Sequence, residues 1–107
     1  MEKSWDISER RQEQIRHLPP DLKRQVWEAI EGIKKNPNTG KSLSEELAGH
    51  RSYRIGKYRL IYRVEEARLV LEAIGPRSDI YERFVLEIGR AKIKERSARY
   101  KAKPRKS

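Results

Sequence analysis

The longest hydrophobic pattern in the chain has a helical period and lies between two prolines. Its apolar positions recur every three or four residues: Leu22, Val26, Ala29, Ile30 and Ile33. This spacing predicts an amphipathic helix that starts at Pro20-Asp21, because proline is tolerated in the first turn of a helix. The sequence NPNTG at residues 36–40 ends that helix and predicts a turn.

A shorter helix is predicted before it, from Glu9 to about His17. Ser8 is a suitable N-cap, because a serine hydroxyl accepts a hydrogen bond from the free backbone N–H groups of the first turn. Pro19-Pro20 ends this helix, since proline cannot continue a helix interior. With Ser4–Ile7 as a candidate edge strand, the first 40 residues predict a strand and a helical hairpin.

After a polar connection at Ser42–Gly49, the pattern changes to a period of two, which predicts strands. Gly56-Lys57 predicts a tight hairpin turn. Beyond it, two sets of side chains alternate: Tyr58, Leu60, Tyr62 and Val64 on one face, and Arg59, Ile61 and Arg63 on the other. A further strand is predicted over Arg68–Ile74, with Gly75-Pro76 as its break. Its predicted faces are Leu69, Leu71 and Ala73 against Val70, Glu72 and Ile74.

A last helix is predicted after Ser78 or Asp79, either of which can cap it. Its apolar stripe is Ile80, Phe84, Val85, Ile88 and Ala91. The helix can continue to about Ala98, although the stripe ends at Ala91. The order of elements indicates an α+β fold, in which an N-terminal strand and a helical hairpin pack on a small, mainly antiparallel sheet that a C-terminal helix follows. We expect the helices on one face of that sheet.

Composition adds a strong charge asymmetry to this picture. Charged residues make up 39% of the 107 residues and the net charge is +10. Residues 90–107 alone hold nine Lys/Arg residues and one acid. We therefore divide the chain into a domain at residues 1–91 and a basic extension at residues 92–107, and expect a polyanionic partner. The alternative for the extension is a solvated tail that only aids solubility.

Several function classes lack the residues that they need. The chain has no cysteine, so disulfides and thiol chemistry are excluded. His17 and His50 do not form a metal-ligand spacing, no glycine-rich phosphate loop is present, and we expect neither a metal nor another cofactor. No apolar run opens the chain or is long enough to span a membrane, which fits a cytosolic protein without a membrane partner.

Basic residues and tyrosines are instead concentrated on the predicted sheet. The basic set is Arg51, Arg54, Lys57, Arg59, Arg63 and Arg77. An arginine fork matches phosphate oxygens and can stabilise the extra charge of a phosphate under attack by a 2′-hydroxyl. Tyrosines between them offer stacking surfaces for unpaired bases. The pattern indicates a surface for single-stranded nucleic acid, although exposed arginines and half-buried tyrosines also occur on ordinary antiparallel strands.

Two motifs resemble the RelE/ParE superfamily of toxin–antitoxin toxins. Residues 47–64 read LAGHRSYRIGKYRLIYRV, which is similar to the family's L-x-G-x-x-x-Y-R-v-G-x-Y-R-v-i-Y, and residues 75–81 read GPRSDIY, similar to G-H-R-x-x-v-Y. The resemblance covers about residues 4–88. It implies the compact fold shared with small microbial ribonucleases.

The resemblance also implies two alternative activities. RelE-like members cut mRNA in the ribosomal A site, without metal, by in-line attack of the 2′-hydroxyl, whereas ParE-like members inhibit DNA gyrase and cut no RNA. In the nuclease branch, the positions of Arg54, Arg59, Arg77 and Tyr81 bind phosphate, stabilise the transition state and transfer protons. Tyr81 is the candidate base, because neighbouring arginines can lower the pKa of a phenol while an arginine stays protonated. Glu72 is a weaker candidate.

The implied partners are a cognate antitoxin, in a toxin–antitoxin hetero-oligomer, together with the ribosome and its mRNA. We expect Arg51, Lys57 and Arg63 on the sheet, and Lys92 and Lys94 in the extension, to bind RNA. Two departures weaken the nuclease alternative: Gly56 stands near a lysine of some RelE nucleases, and Pro76 replaces the frequent histidine of the closing motif. A relative that binds RNA but has lost catalysis is therefore a third alternative.

Overall fold

The computed structural model describes residues 3–90 and consists of three α-helices and a five-stranded sheet. The helices are α1 (Glu9–Arg16), α2 (Pro20–Lys35) and α3, which covers residues 80–90 of the described part. The strands are β1 (Ser4–Asp6), β2 (Lys41–Ser42), β3 (His50–Ile55), β4 (Tyr58–Val64) and β5 (Arg68–Pro76). Two short 3₁₀ turns, Pro37–Thr39 and Glu45–Leu47, flank β2.

The strand order is β1-β5-β4-β3-β2, with β1 parallel to β5 and every other pair antiparallel. The predicted mainly antiparallel sheet is therefore confirmed, and so are the edge strand, the hairpin of α1 and α2 and the turn at Gly56-Lys57. Ser8 caps α1 as predicted, since its hydroxyl accepts a hydrogen bond from the N–H of Arg11. Strand β2 was missed, because two residues are too few to show a period.

The helical hairpin covers one face of the sheet. The buried core on this side joins α1 and α2 to the apolar face of the three long strands: Ile15, Val26, Ala29, Ile30, Ile33, Ile55, Leu60, Tyr62, Leu69, Leu71 and Ile74. Trp5 on β1 closes the layer, since its Nε1–H donates a 2.9 Å hydrogen bond to the carbonyl of Ile30. Packing on this face holds the three long strands in position.

Helix α3 packs on the opposite face, which corrects the prediction that all helices share one face. Its buried residues Ile80 and Phe84 join Leu47, Ile61 and Ala73 in a second core. The sheet is buried on both sides because Ile61 lies between Leu60 and Tyr62 on β4 and therefore points away from the first core. Ala91 and the predicted continuation to Ala98 lie outside the described residues.

An irregularity in β5 corrects the predicted faces of that strand. Ile61 pairs with Ala73 while Tyr62 pairs with Leu71, so Glu72 is an extra residue opposite β4. Such a bulge shifts the alternation by one residue. Leu71 and Ile74 therefore share the first core, and Ala73 lies in the second. The strand also runs on through Gly75, ending at Pro76 instead of breaking before it.

Side chains of α1 cover the edge of β5 that β1 leaves free. Arg11 Nε donates to the carbonyl of Glu72 at 3.1 Å and Gln14 Nε2 to that of Ile74 at 3.2 Å. Arg11 also lies 3.5 Å from a carboxylate oxygen of Glu87 on α3. Helix α1 therefore satisfies the exposed backbone of β5 and helps to hold α3 against the sheet.

Candidate phosphate-binding cleft

A cleft of about 540 Å³ lies on the α3 side of the sheet, where the β3–β4 hairpin and the end of β5 meet the start of α3. It is lined by Lys41, Leu43, Ser52, Arg54, Arg59, Arg77 and Tyr81. All four candidate catalytic residues are in this set. The sequence separates them by up to 27 positions, and the fold brings them to one cavity.

Strand register explains how the two sheet arginines meet. Arg54 and Arg59 are direct partners across β3 and β4, next to the two-residue turn. Gly56 in this turn has φ +57°, a backbone conformation that glycine adopts without the strain that a Cβ causes. Because both arginines face away from the first core, their guanidinium groups are presented on the same side of the sheet.

The end of β5 adds Arg77. The N–H of Arg77 donates a 2.7 Å hydrogen bond to the carbonyl of Lys57, which fastens the segment after β5 to the hairpin turn. Helix α3 starts directly afterwards, and the carbonyl of Asp79 accepts its first helical hydrogen bond, from the N–H of Arg83. Asp79 is thus the N-cap position, one of the two that the sequence predicted, and it sets Tyr81 in the first turn.

Tyr81 is held by a buried hydroxyl on the sheet. Its phenol oxygen lies 2.7 Å from Oγ of Ser52, whose exposed fraction is only 6%. Ser52 and Arg54 are two residues apart on β3 and therefore face the same cleft. The hydrogen bond fixes both the rotation of the Tyr81 ring and the approach of α3 to β3.

Arg59 is the most deeply placed cation of the cleft, with 8% of its surface exposed. Its Nη1 donates to the carbonyls of Gly56 at 3.3 Å and Tyr58 at 3.1 Å. No carboxylate within residues 3–90 forms an ion pair with Lys41, Arg54, Arg59 or Arg77, and the cleft has no acidic lining residue. Four cations without a counter-ion around one cavity create a site for an anion.

The other basic residues that the sequence singled out lie elsewhere. Arg51 donates from Nη1 to the carbonyls of Gly40 at 2.7 Å and Asn38 at 3.2 Å, so it holds the connection between α2 and β2. Arg63 forms ion pairs with Glu65 and Glu72. This pairing also engages Glu72, the weaker base candidate, which does not line the cleft.

Lys57 lies at the hairpin turn and lines a neighbouring pocket with Arg54 and Arg77. Lys92 and Lys94 fall outside the described residues, so their RNA binding stays a prediction.

Sequence reasoning missed the two other polar residues of the cleft, Lys41 and Ser52. Ser52 was accessible to it, because the period of two along β3 places Ser52 on the face of Arg54. Lys41 gave no signal. It reaches the cleft through the pairing of Lys41 with Ser52 between β2 and β3, which depends on the two 3₁₀ turns that place β2.

Neither a metal centre nor a membrane span occurs in the described part of the chain. No group of three or more His, Asp or Glu side chains there is arranged to hold a metal ion. Helices α1 to α3, over the residues described, include none that is long and apolar enough to cross a membrane. His50 instead packs edge-to-face on Phe84, with ring centroids 5.1 Å apart.

These features define a small, basic α+β protein with a cationic cleft on its sheet. Its sequence matches, over residues 7–81, the family described as "ParE toxin of type II toxin-antitoxin system, parDE". Since this match covers well over half of the chain, the protein belongs to the RelE/ParE superfamily of toxins from toxin–antitoxin systems, and the family prediction is confirmed.

Known relatives agree with this assignment. Toxin RelG of Mycobacterium tuberculosis is 40% identical over 73 residues, which are 64% of this chain and 84% of RelG. The toxin–antitoxin complex RelBE2 of the same organism contains a chain that is 29% identical, with a TM-score of 0.63, over 71% of this chain and 99% of that one. A free RelE mutant of Escherichia coli has a TM-score of 0.65 at 19% identity, over 82% and 99% of the two chains, and shows the shared fold.

Proposed function

We propose that this toxin is a ribosome-dependent mRNA endonuclease that inhibits translation. The observation that carries the proposal is the convergence of Arg54, Arg59, Arg77 and Tyr81 on one cleft without a carboxylate. A polyanion with a reactive phosphodiester is the ligand that such a lining suits best. The 40% identity to Toxin RelG supports the RelE-like branch.

The proposed reaction is attack of an RNA 2′-oxygen on the adjacent phosphorus, with departure of the 5′-oxygen of the next nucleotide. The 2′-hydroxyl gives up its proton as the new P–O bond forms, and the 5′-oxygen takes up a proton as its bond to phosphorus breaks; Tyr81 is assigned one of these transfers and solvent the other. The products are a 2′,3′-cyclic phosphate and a free 5′-hydroxyl. Arg54, Arg59 and Arg77 bind the non-bridging oxygens and stabilise the negative charge that accumulates on them in the transition state. Such charge stabilisation requires no metal ion.

Tyr81 is the proposed proton-transfer residue. A guanidinium is a poor general base, so the proton of the 2′-hydroxyl needs another acceptor. The 2.7 Å contact with Ser52 holds the phenol oxygen in the cleft with the arginines. A positioned phenol is a suitable general acid or base, and this role accounts for its location better than packing alone does.

The decisive experiment is a translation reaction with purified protein on a defined mRNA, read by primer extension. Cleavage at ribosome-occupied codons is expected with the wild type and absent with the double variant Arg77→Ala/Tyr81→Phe. Arg24→Ala, which removes an exposed arginine from α2 on the other face, is the matched control and should cleave normally. Cleavage that persists in the double variant would refute the assignment of the site.

The family description favours one other function, inhibition of DNA gyrase, because it names a ParE toxin. Wild-type protein that leaves mRNA intact but blocks supercoiling by purified gyrase would establish this alternative. Tight RNA binding without either activity would instead indicate a relative that has lost catalysis. All three functions use a cationic surface, so only the assays separate them.

A cognate antitoxin is the proposed protein partner. RelBE2 of Mycobacterium tuberculosis, which contains a chain 29% identical to this one, is a toxin–antitoxin complex. An acidic antitoxin segment would neutralise the cleft, or displace α3 by competing for the contacts of Ile80 and Phe84.

A further inference from the structure

A second cationic pocket of about 500 Å³ lies beside the cleft. It is lined by Arg54, Gly56, Lys57, Pro76, Arg77 and Ser78. Like the cleft, it contains no acidic side chain, and none of its three cations forms an ion pair with a carboxylate in the described part of the chain. Three of its six lining residues are cations, and none is an aromatic residue on which a base would stack.

Arg54 and Arg77 line both cavities, so the two are contiguous. Each of these guanidinium groups has several N–H donors and can therefore bind oxygens on either side. Of these two cavities, Lys41, Arg59 and Tyr81 line the cleft but not the second pocket, whereas Lys57 and Ser78 line the second pocket but not the cleft. The surface therefore offers two separate sets of donors on either side of the shared arginines.

The backbone keeps Lys57 in place at the far end. Lys57 is the second residue of the β3–β4 turn, and its carbonyl accepts the 2.7 Å hydrogen bond from the N–H of Arg77. This bond couples the turn to the segment that carries Arg77 and Ser78. The pocket is therefore built from a turn and a strand end that are joined to each other.

From this geometry we infer that the second pocket binds the phosphate next to the one held in the cleft. Lys57 is the cation that contacts this second phosphate alone, and Ser78 is an uncharged hydrogen-bond donor to it. The ligand is thus a stretch of nucleic acid with two consecutive phosphates. The inference rests on the proposed function, since it takes the cleft to hold the scissile phosphate. Two shared arginine forks match the oxygens of adjacent phosphates, and a comparison with an acidic peptide tests whether carboxylates bind there instead.

The test is calorimetric titration of the full chain with 2′-deoxyadenosine 3′,5′-bisphosphate and with the two corresponding monophosphates, none of which can react. The bisphosphate should bind about tenfold more tightly than either monophosphate, which is the effect of one charge-assisted contact. Lys57→Ala should abolish this advantage and leave the stronger monophosphate affinity within about twofold. Lys57→Arg should retain it.

Lys41→Ala is the matched control, because it removes the same charge from the cleft alone. It should weaken all three ligands and leave the bisphosphate advantage intact. Equal affinity for bisphosphate and monophosphates in the wild type would overturn the inference. An equal loss of the bisphosphate preference in Lys41→Ala and Lys57→Ala would also overturn it, because such a result indicates a general attraction to positive charge and not a specific pocket.

Two further readouts separate the inference from its alternatives. A glutamate-rich peptide that binds as tightly as the bisphosphate and depends equally on Lys57 would assign the pocket to an acidic protein instead. Failure of mRNA cleavage, with the bisphosphate advantage present, would overturn the proposed function and leave the pocket established. Normal mRNA cleavage by a protein that binds the bisphosphate no more tightly than the monophosphates would overturn the second pocket and leave the proposed function intact.

Discussion

Ser52 is the residue on which the position of Tyr81 depends. The Ser52→Ala variant loses the 2.7 Å hydrogen bond between the two hydroxyls, so the phenol can rotate away from the arginines. We expect a stability loss of about 1 kcal/mol, as for a typical hydrogen bond, and a fall of at least tenfold in the single-turnover cleavage rate. RNA affinity should change little because every cation remains.

Ser42→Ala is the control, since Ser42 is exposed on β2 and does not line the cleft. It should leave urea unfolding, RNA binding and cleavage unchanged. An undiminished cleavage rate in Ser52→Ala would show that the contact is structural and that Tyr81 needs no such support.

Tyr62 is the basis of a second prediction, which concerns the pH dependence of folding stability. Its buried hydroxyl donates to the carbonyl of Pro37 at 2.8 Å and accepts from the N–H of Gly40 at 3.0 Å. Burial raises the pKa of Tyr62 above the ordinary value of 10.0. The folded protein therefore keeps its proton where the unfolded chain loses it, and this contribution to stability is full below about pH 10 and disappears as the pH rises through the folded-state pKa.

The Tyr62→Phe variant should be less stable than wild type by about 1–3 kcal/mol at neutral pH, because Gly40 and Pro37 lose a buried partner. Its deficit should shrink above pH 10, since phenylalanine cannot ionise. Urea denaturation across this range measures both effects. Tyr53→Phe on the same face is the control, and a deficit that stays constant with pH would contradict the argument.

At the scale of elements, the junction of α2 with β2 is tightly packed around Gly40. A Cβ on Gly40 would lie 2.6 Å from Oη of Tyr62 and 3.0 Å from the carbonyl oxygen of Ser52. Tyr62 is fully buried, and the carbonyl of Ser52 belongs to the backbone of a paired strand, so neither group can move away freely. Gly40→Ala should therefore destabilise the protein by about 1–3 kcal/mol, measured by urea unfolding.

Gly32→Ala in α2 is the matched control. Its Cβ would meet nothing within 4 Å, so removing a glycine from a helix interior should stabilise the protein by about 0.5–1 kcal/mol. Opposite signs for the two variants would confirm that crowding, and not the loss of glycine as such, limits the junction. The same sign for both would refute that explanation.

The elements also show which parts of the fold the sequence contains locally. Helix α2 and the hairpin of β3 and β4 were predicted because period and turn residues are local signals. The bulge at Glu72 was not, because its position follows from the pairing of β4 with β5. The face that α3 covers was not predicted either, since it depends on which side of the sheet α1 and α2 leave open.

The cleft divides in the same way. Arg54 and Arg59 lie beside one predicted turn, and the closing motif contains Arg77 and Tyr81, so the sequence singled out all four, whose catalytic roles stay predictions. Their proximity across β3, β4 and α3 came from the fold. Lys41 was missed because a two-residue strand acquires its place only by pairing with β3. Local pattern thus indicated the residue types of the cleft, while long-range strand pairing determined which residues line it.

For the whole molecule, the relevant property is how its charge is distributed between paired and unpaired cations. Arg63 and Arg68 on the sheet are paired with carboxylates, whereas the cleft cations have no carboxylate partner among residues 3–90. The two cores on opposite faces of the sheet hold the strands that carry Arg54 and Arg59. A backbone held in this way lowers the entropic cost of binding an anionic ligand.

This distribution predicts the salt dependence of binding to a short single-stranded RNA with 2′-O-methyl riboses. Each cation that contacts a phosphate should contribute about 0.7 to the slope of log affinity against log salt concentration for a single strand. Lys41→Ala should therefore reduce the slope by about that amount, because one released counter-ion is lost. Fluorescence anisotropy at several salt concentrations measures this slope.

Lys35→Ala is the control, since it removes an exposed charge from the end of α2, on the face away from the cleft. It should weaken binding at low salt only slightly and leave the slope unchanged. If both variants reduced the slope equally, the RNA would be responding to the net charge of +10, and the cleft would not be its binding site.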